Sequence, residues 1–222
     1  MPVTFFDVDH TLVKGSTAFH CAPVLRREKV LNNRLMIRIA WAHLRHHLGL
    51  LDFEKVYAEG VLPFVGMAIE DAEPVLRECW EKHVRPRLYR EALDTIVTRR
   101  EAGDRVVLLS ASTWYLLRMF SEAMPIDDVI AFRQHVRDGI LINDYDRPVC
   151  YGPNKLILAR TWCKNHGESL DNATFYTDSS SDLALLRVVG NPRPVNPDPR
   201  LRWEARCQGW PVLRFRETIG TV

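Results

Sequence analysis

Short apolar runs, each closed by turn residues or a carboxylate, recur along the chain. Between them lie stretches with the wider hydrophobic spacing of helices. The strand-type runs are VTFFDV (3–8), DRVVLLS (104–110), VIAF (129–132), ATFYT (173–177), PRPVN (192–196) and PVLRF (211–215). Runs of this length between turn signals are what strands buried on both faces look like. Residues 87–102 predict a helix that stops at Gly103, and 154–166 and 181–189 predict two more. NPDPRLRWEARCQG predicts another, with Asp198 as N-cap and Pro199 at its first position. RQHVRDGILINDYD holds Asp-Gly between two alternating runs, a hairpin signal. Strands alternating with helices predict an α/β fold with a mainly parallel sheet.

One segment breaks the alternation. From about residue 15 to 86 the pattern is helical throughout, in CAPVLRREKVLNNRLMIRIAWAHLRHHLG, FEKVYAEGVLPFVG and IEDAEPVLRECWEKHV. A helical run placed directly after the first strand predicts an inserted cap (15–86) on a core made of 1–14 and 87–222. Within it Arg27, Arg34, Arg38 and Arg45 recur at intervals of seven, four and seven, so they share one helix face. A solvated cationic face with Leu31, Leu35, Ile39 and Trp41 turned inward is the expected reading. A surface drawn to anionic lipid is the alternative. His43, His46 and His47 have ligand-like spacing but no acidic or cysteine partner nearby, and are expected on a solvated face.

Composition narrows the classes. A chain of 222 residues, 46% hydrophobic, is long enough to bury one large core or a core with an insertion. Thirty basic against 28 acidic residues leave a formal charge of +2, so no global field selects nucleic acid, and none is expected as a partner. The five cysteines are scattered without a C-x-x-C, which indicates neither a disulfide framework nor a zinc ribbon. No segment has 18 uninterrupted apolar residues, and none reads as a secretory leader, so a cytoplasmic protein is expected.

The candidate chemistry sits at strand ends, where parallel α/β proteins build their sites. Asp7 and Asp9 follow the first apolar run, and strand alternation would start them on one face. Ser110 closes the second run, Lys155 opens a helix, Asp178 closes ATFYT, and Asp182 follows four residues later. Together they offer carboxylates for a hard cation, and a hydroxyl and an ammonium for an anion. That set suits phosphoryl transfer: Asp7 and Asp178 supply oxygens for Mg2+, while Lys155 offsets charge on the phosphate. Asp7 can attack phosphorus, and Asp9, if protonated, can donate to the leaving oxygen and later activate water.

The motifs DVDHT (7–11), LLSAS (108–112), NK (154–155) and DSSSD (178–182) occur in that order. With the helical insert behind the first of them, the chain resembles the haloacid dehalogenase superfamily, in its phosphoserine-phosphatase-like branch. The resemblance implies a Rossmann-like core and a Mg2+-dependent phosphatase that cleaves a small phosphate monoester through an aspartyl phosphate. It implies Asp7 as nucleophile and Asp9 as general acid and base. Metal contacts would come from Asp7, Asp178 and the backbone carbonyl of Asp9. Ser110, Ala111 and Lys155 would hold phosphoryl oxygens, with Thr11 and Asp182 in support. True phosphoserine phosphatases carry a glutamate and a cap arginine that read the substrate's amine and carboxylate. The matching positions here are Ser16 and Gly60, so a substrate other than phosphoserine is expected. The alternatives are phosphoserine phosphatase itself, transfer to an acceptor other than water, a lipid-phosphate phosphatase at a membrane surface, and a phosphate-binding protein without turnover.

Overall fold

The computed structural model describes residues 2–31, 37 and 64–220. Five strands form one parallel sheet: β1 (Val3–Phe6), β2 (Arg105–Thr113), β3 (Asp128–Phe132), β6 (Thr174–Thr177) and β7 (Asn191–Pro194). Their order is β3-β2-β1-β6-β7, with Phe5 opposite Val107 on one side and Phe175 on the other. β2 and β3 lie to one side of β1 and β6 and β7 to the other, so the strand order reverses there. A crevice therefore opens beyond its carboxyl end. A two-stranded antiparallel hairpin, β4 (Gln134–Arg137) and β5 (Ile140–Tyr145), stands apart. Its predicted turn is present, with Asp138 at φ 50° and Gly139 at φ 77°, the left-handed pair that a two-residue hairpin needs.

Alternation sorts the central strands between two cores. Val3, Phe5, Val107, Leu109 and Phe175 face α5 (Pro153–His166), α6 (Leu183–Leu186) and α7 (Pro199–Gln208). Phe6, Val106, Leu108 and Tyr176 face α3 (Arg90–Glu101), α4 (Trp114–Ala123) and the helices between β1 and α3. Phe5 and Phe6 are both fully buried, one on each face, each contributing about 2–3 kcal/mol of apolar burial. The four residues VTFF are therefore buried on both sides, as a central parallel strand must be.

Behind β1 the chain runs into helices that pack on the same core as Phe6, and the two ends of this segment meet. Lys14 N–H donates to the Arg87 carbonyl at 2.9 Å, and Tyr89 N–H donates to the Leu12 carbonyl at 2.9 Å. The segment starts with α1 (Thr17–Arg27) and ends with α2 (Ile69–Glu78), a π-helical stretch (Cys79–Val84) and a 3-10 turn (Arg85–Arg87). Residues 66–69 lie on the hairpin: Gly66 N–H reaches the Leu141 carbonyl at 2.8 Å, and Ile69 N–H reaches that of Gly139 at 2.8 Å. Arg27 pairs with Glu28 and Glu78, which makes it part of a surface ion pair. Arg34, Arg38, Arg45, the three histidines at 43, 46 and 47, and Gly60 lie outside the described residues. No helix among the described residues is long and apolar enough to cross a membrane.

Three expectations change. β1 stops at Phe6, so Asp7 to Asp9 are not strand. The run 211–215 makes only an isolated bridge, Leu213 to Val195. Proline at 192, 194 and 211 lacks the N–H that a further ladder would require. The helix expected over 181–189 shrinks to Leu183–Leu186, because Ser179 accepts from Ser181 N–H and draws residues 180–182 into a 3-10 turn.

Candidate active site

Asp7 stands one residue past the end of β1, and its own N–H still donates to the Tyr176 carbonyl of β6 at 2.9 Å. Its carboxylate is held at both oxygens. Val8 N–H donates to Oδ1 at 2.7 Å, and the Lys155 ammonium lies 2.9 Å from Oδ2. Beyond it the chain winds into a tight turn in which Leu12 and Val13 N–H both donate to the Val8 carbonyl, at 2.9 and 3.0 Å. The turn needs left-handed backbone at His10 (φ 57°) and Gly15 (φ 87°), and a Cβ on Gly15 would meet the His20 ring at 2.9 Å.

Lys155 arrives from the first turn of α5, on the sheet face toward which Asp7 points. Its side chain is buried, and its Nζ also donates to Asp182 Oδ2 at 2.8 Å. Thr177 Oγ1 donates to that same oxygen at 2.7 Å. Burial alone would push the Lys155 ammonium down, but Asp182 and Asp7 beside it outweigh that and hold it above the usual lysine range. Burial pushes Asp182 up, while Lys155 and Thr177 pull it back.

Asp178 ends β6. Burial, with the charge of Asp7 adding to it, pushes its carboxyl up to about 8, and Lys155 only partly offsets this. Thr11 Oγ1 points at Asp178 Oδ1 from 3.4 Å, so the threonine expected to brace the first loop also reaches across to this carboxylate. Ser110, fully buried within β2, accepts from Ser112 N–H at 3.3 Å, and its own hydroxyl proton remains to donate. Ala111 follows it in the same strand, half-buried. Asp9 is half-buried, and its carboxyl is held by partners other than those of Asp7. Thr17 N–H donates to Oδ1 at 2.8 Å, and the hydroxyls of Ser16 and Ser112 reach Oδ2 at 3.3 Å each. Burial raises the Asp9 carboxyl, Thr17 works against it, and the charge of Asp7 raises it further. Ser16, expected near the substrate, thus has its hydroxyl turned onto Asp9.

The donor set can be tested against a divalent cation. Asp7, Asp178 and Asp182 share a single ammonium, Lys155, and the charge of Asp7 adds to the burial that pushes Asp178 up. A dication would relieve that repulsion. Among the described residues no three His, Cys, Asp or Glu side chains converge as a ready metal set. Asp7 and Asp178 offer carboxylate oxygens; a backbone carbonyl, water and substrate would have to complete the shell. Mg2+ accepts that kind of site, with one or two carboxylates and the rest water and phosphate. The residues fit Mg2+.

One residue read from sequence only as a helix cap does more. Asp198 accepts from Leu201 N–H at 2.7 Å, the expected N-cap of α7, and from Ser180 N–H at 2.7 Å. Its own N–H donates to the Asp178 carbonyl at 2.9 Å. It therefore pins the DSSSD loop from below. Burial works against its charge, but the Leu201 and Ser180 N–H groups hold its carboxyl below the usual range. The clamp is thus intact at neutral pH and is lost only as pH falls through that depressed value. Asp198→Ala is expected to cost about 2 kcal/mol, a helix cap plus a charged hydrogen bond. Asp198→Asn, which keeps one acceptor, should cost roughly half as much. Urea melts of both variants at pH 7 check this, and equal costs would contradict it.

Comparison with known proteins points one way. The sequence model of the haloacid dehalogenase-like hydrolases matches residues 4–187. A protein of Mycobacterium tuberculosis described as a probable phosphatase is 28% identical over 218 residues, covering 97% of this chain and 76% of its own. Among solved structures, a Bordetella pertussis protein of unknown function superposes with a TM-score of 0.87 at 24% identity, over 96% of this chain and 97% of that one. A phosphoserine phosphatase captured as an analogue of its phospho-aspartyl intermediate superposes at 0.68 with 19% identity, over 98% and 94%.

Proposed function

The chain belongs to the haloacid dehalogenase-like hydrolases, and from that premise we propose that it is a Mg2+-dependent phosphatase of small organic phosphate monoesters. Its active site is assigned to Asp7, Asp9, Ser110, Lys155 and Asp178, with residues 15–86 as the cap that shapes the substrate pocket. The observation that carries the reading is Asp7 itself: a carboxylate gripped by Val8 N–H and Lys155, with the separately held Asp9 two residues on. Mg2+, held by Asp7, Asp178 and the Asp9 carbonyl, would offset negative charge on the phosphoryl oxygens when bound.

The residues divide the work. Lys155 and the Ser110 hydroxyl, with the backbone at Ala111, hold the phosphoryl group. Asp7 attacks phosphorus, and the ester oxygen leaves with the proton that Asp9 gives it. Water then attacks the aspartyl phosphate after losing its proton to Asp9, which frees Asp7 and inorganic phosphate. Phosphoserine phosphatase is the second reading, favoured by the likeness in fold. Ser16 speaks against it, because its hydroxyl is turned onto Asp9 and carries no charge to read an ammonium. A pocket that leaves substrate charges unpaired discriminates steeply against them.

The test is a panel of phosphate monoesters, phosphoserine included, with Mg2+, with Ca2+ and with excess chelator. Turnover is expected with Mg2+, loss in chelator, and inhibition by Ca2+, which takes more ligands in looser geometry. Larger, less zwitterionic esters should exceed phosphoserine in kcat/KM. Phosphoserine ahead by about a hundredfold or more would install the second reading. Absence of hydrolysis across the panel would reject both.

A further inference from the structure

The groups around Asp9 come from two distant places in the chain. Ser112 stands at the end of β2, whereas Ser16 and Thr17 open α1, the first helix after β1. The Thr17 and Ser112 hydroxyls lie 2.8 Å apart, so one donates to the other, and Ser112 reaches Asp9 Oδ2 at 3.3 Å. Thr17 N–H fixes the opposite oxygen, Oδ1, at 2.8 Å. The hydroxyl of Ser112 is not needed to start α4: the cap position there is Thr113, and no side chain caps that helix. Nor is it part of the Asp7–Lys155–Asp182 cluster.

A carboxyl that must hand over a proton has to present one oxygen to the leaving group. The terminal torsion of aspartate is broad, so that orientation comes from what the carboxyl touches. The backbone N–H of Thr17 anchors one oxygen. What remains is the rotation that carries the other toward the ester. Ser16 and Ser112 both reach that oxygen at 3.3 Å, and of the two only Ser112 comes from the sheet and is paired with Thr17.

We propose that Ser112 is a positioning residue for proton transfer: paired with Thr17, it sets the rotation of the Asp9 carboxyl that meets the leaving oxygen. The inference rests on the phosphatase reading above. In the step concerned, an Asp7 oxygen bonds to phosphorus, and the phosphorus–ester oxygen bond breaks with its electron pair on the ester oxygen. That oxygen takes the Asp9 proton and departs as an alcohol. Ser112 acts through Asp9.

Leaving-group dependence isolates this role. The p-nitrophenolate group is a weak base and leaves with little help, whereas phenolate needs the acid. In Ser112→Ala, kcat/KM on phenyl phosphate should fall about tenfold, while p-nitrophenyl phosphate falls no more than about threefold. Inhibition by inorganic phosphate should stay within about twofold, since ground-state binding of the phosphoryl group is untouched. Ser112→Thr, which restores a hydroxyl, should recover phenyl phosphate turnover. Equal losses on both esters, weakened phosphate inhibition, or no recovery in Ser112→Thr would overturn the assignment. A wild type inactive on both esters would overturn the phosphatase reading and this inference with it. An active wild type with equal losses in Ser112→Ala overturns the inference alone.

Discussion

Asp7→Asn should lower kcat by at least ~10⁴-fold, the scale on which nucleophile deletions act. The amide keeps the size of the carboxylate but has no anionic oxygen to attack phosphorus. It also withdraws one of the two carboxylates offered to Mg2+. No phosphoenzyme should be trapped by acid quench of the variant, whereas the wild type gives one. Stability should hold or rise, because the charge of Asp7 raises both Asp178 and Asp182 and its removal relieves that repulsion. Lys155 keeps a partner in Asp182 at 2.8 Å. Active sites commonly give up stability for such charge crowding. Measured together, a melting temperature at or above wild type with activity gone would mark Asp7 as chemical and not architectural. Activity above about a hundredth of wild type would reject the covalent mechanism.

Lys155→Met should damage both properties. The ammonium lies within 2.9 Å of Asp7 and 2.8 Å of Asp182, and it is almost fully buried. Removing one member of a buried charge cluster costs about 3–5 kcal/mol, because the partners stay buried without compensation. Asp182 can take up a proton and soften the loss, so the lower figure, about 3 kcal/mol, is expected. For a protein of this length that corresponds to a fall of roughly 6–12 °C in melting temperature. Activity should fall by ~10²–10³-fold or more, the cost of losing one preorganised donor to the phosphoryl group. The double variant Lys155→Met/Asp182→Asn separates the effects. It should regain part of the stability, since the more deeply buried of the two orphaned charges is gone, and none of the activity. Thermal melts and kcat/KM on one ester decide it, and a double variant no more stable than Lys155→Met would show that the cluster is not coupled.

The elements that the hydrophobic pattern misjudged share a cause: a neighbour remote in sequence decided them. PVLRF has strand composition, yet the segments beside it carry proline at 192 and 194, and only Leu213 finds a partner in Val195. The DSSSD stretch was read as leading into a helix to 189, but Lys155, 27 residues earlier, and Thr177 hold Asp182 on the far side of a 3-10 turn. Asp7 and Asp9 were expected to share a face by strand alternation. The turn begun at Val8 instead delivers one to Lys155 and the other to Thr17. Alternation holds only as long as the strand does.

What the sequence determined by itself was the parallel α/β core and the chemical types of the candidate site. Short apolar runs between turn signals, alternating with helices, fit the central strands of a parallel sheet, and polar residues at their carboxyl ends fall at the crevice where the strand order reverses. The tertiary structure alone decided the partnerships: Lys155 between Asp7 and Asp182, Thr11 on Asp178, Asp198 beneath the acidic loop, Ser112 and Thr17 on Asp9. Serine and threonine carry no signal of this kind in a one-dimensional pattern, since a hydroxyl serves equally as a cap, a turn former or a surface group. Which of these it becomes depends on a carboxylate arriving within hydrogen-bond reach from elsewhere in the chain, and contacts of 3.4 Å or less between residues up to 167 positions apart exist only once the sheet has brought the strand ends together.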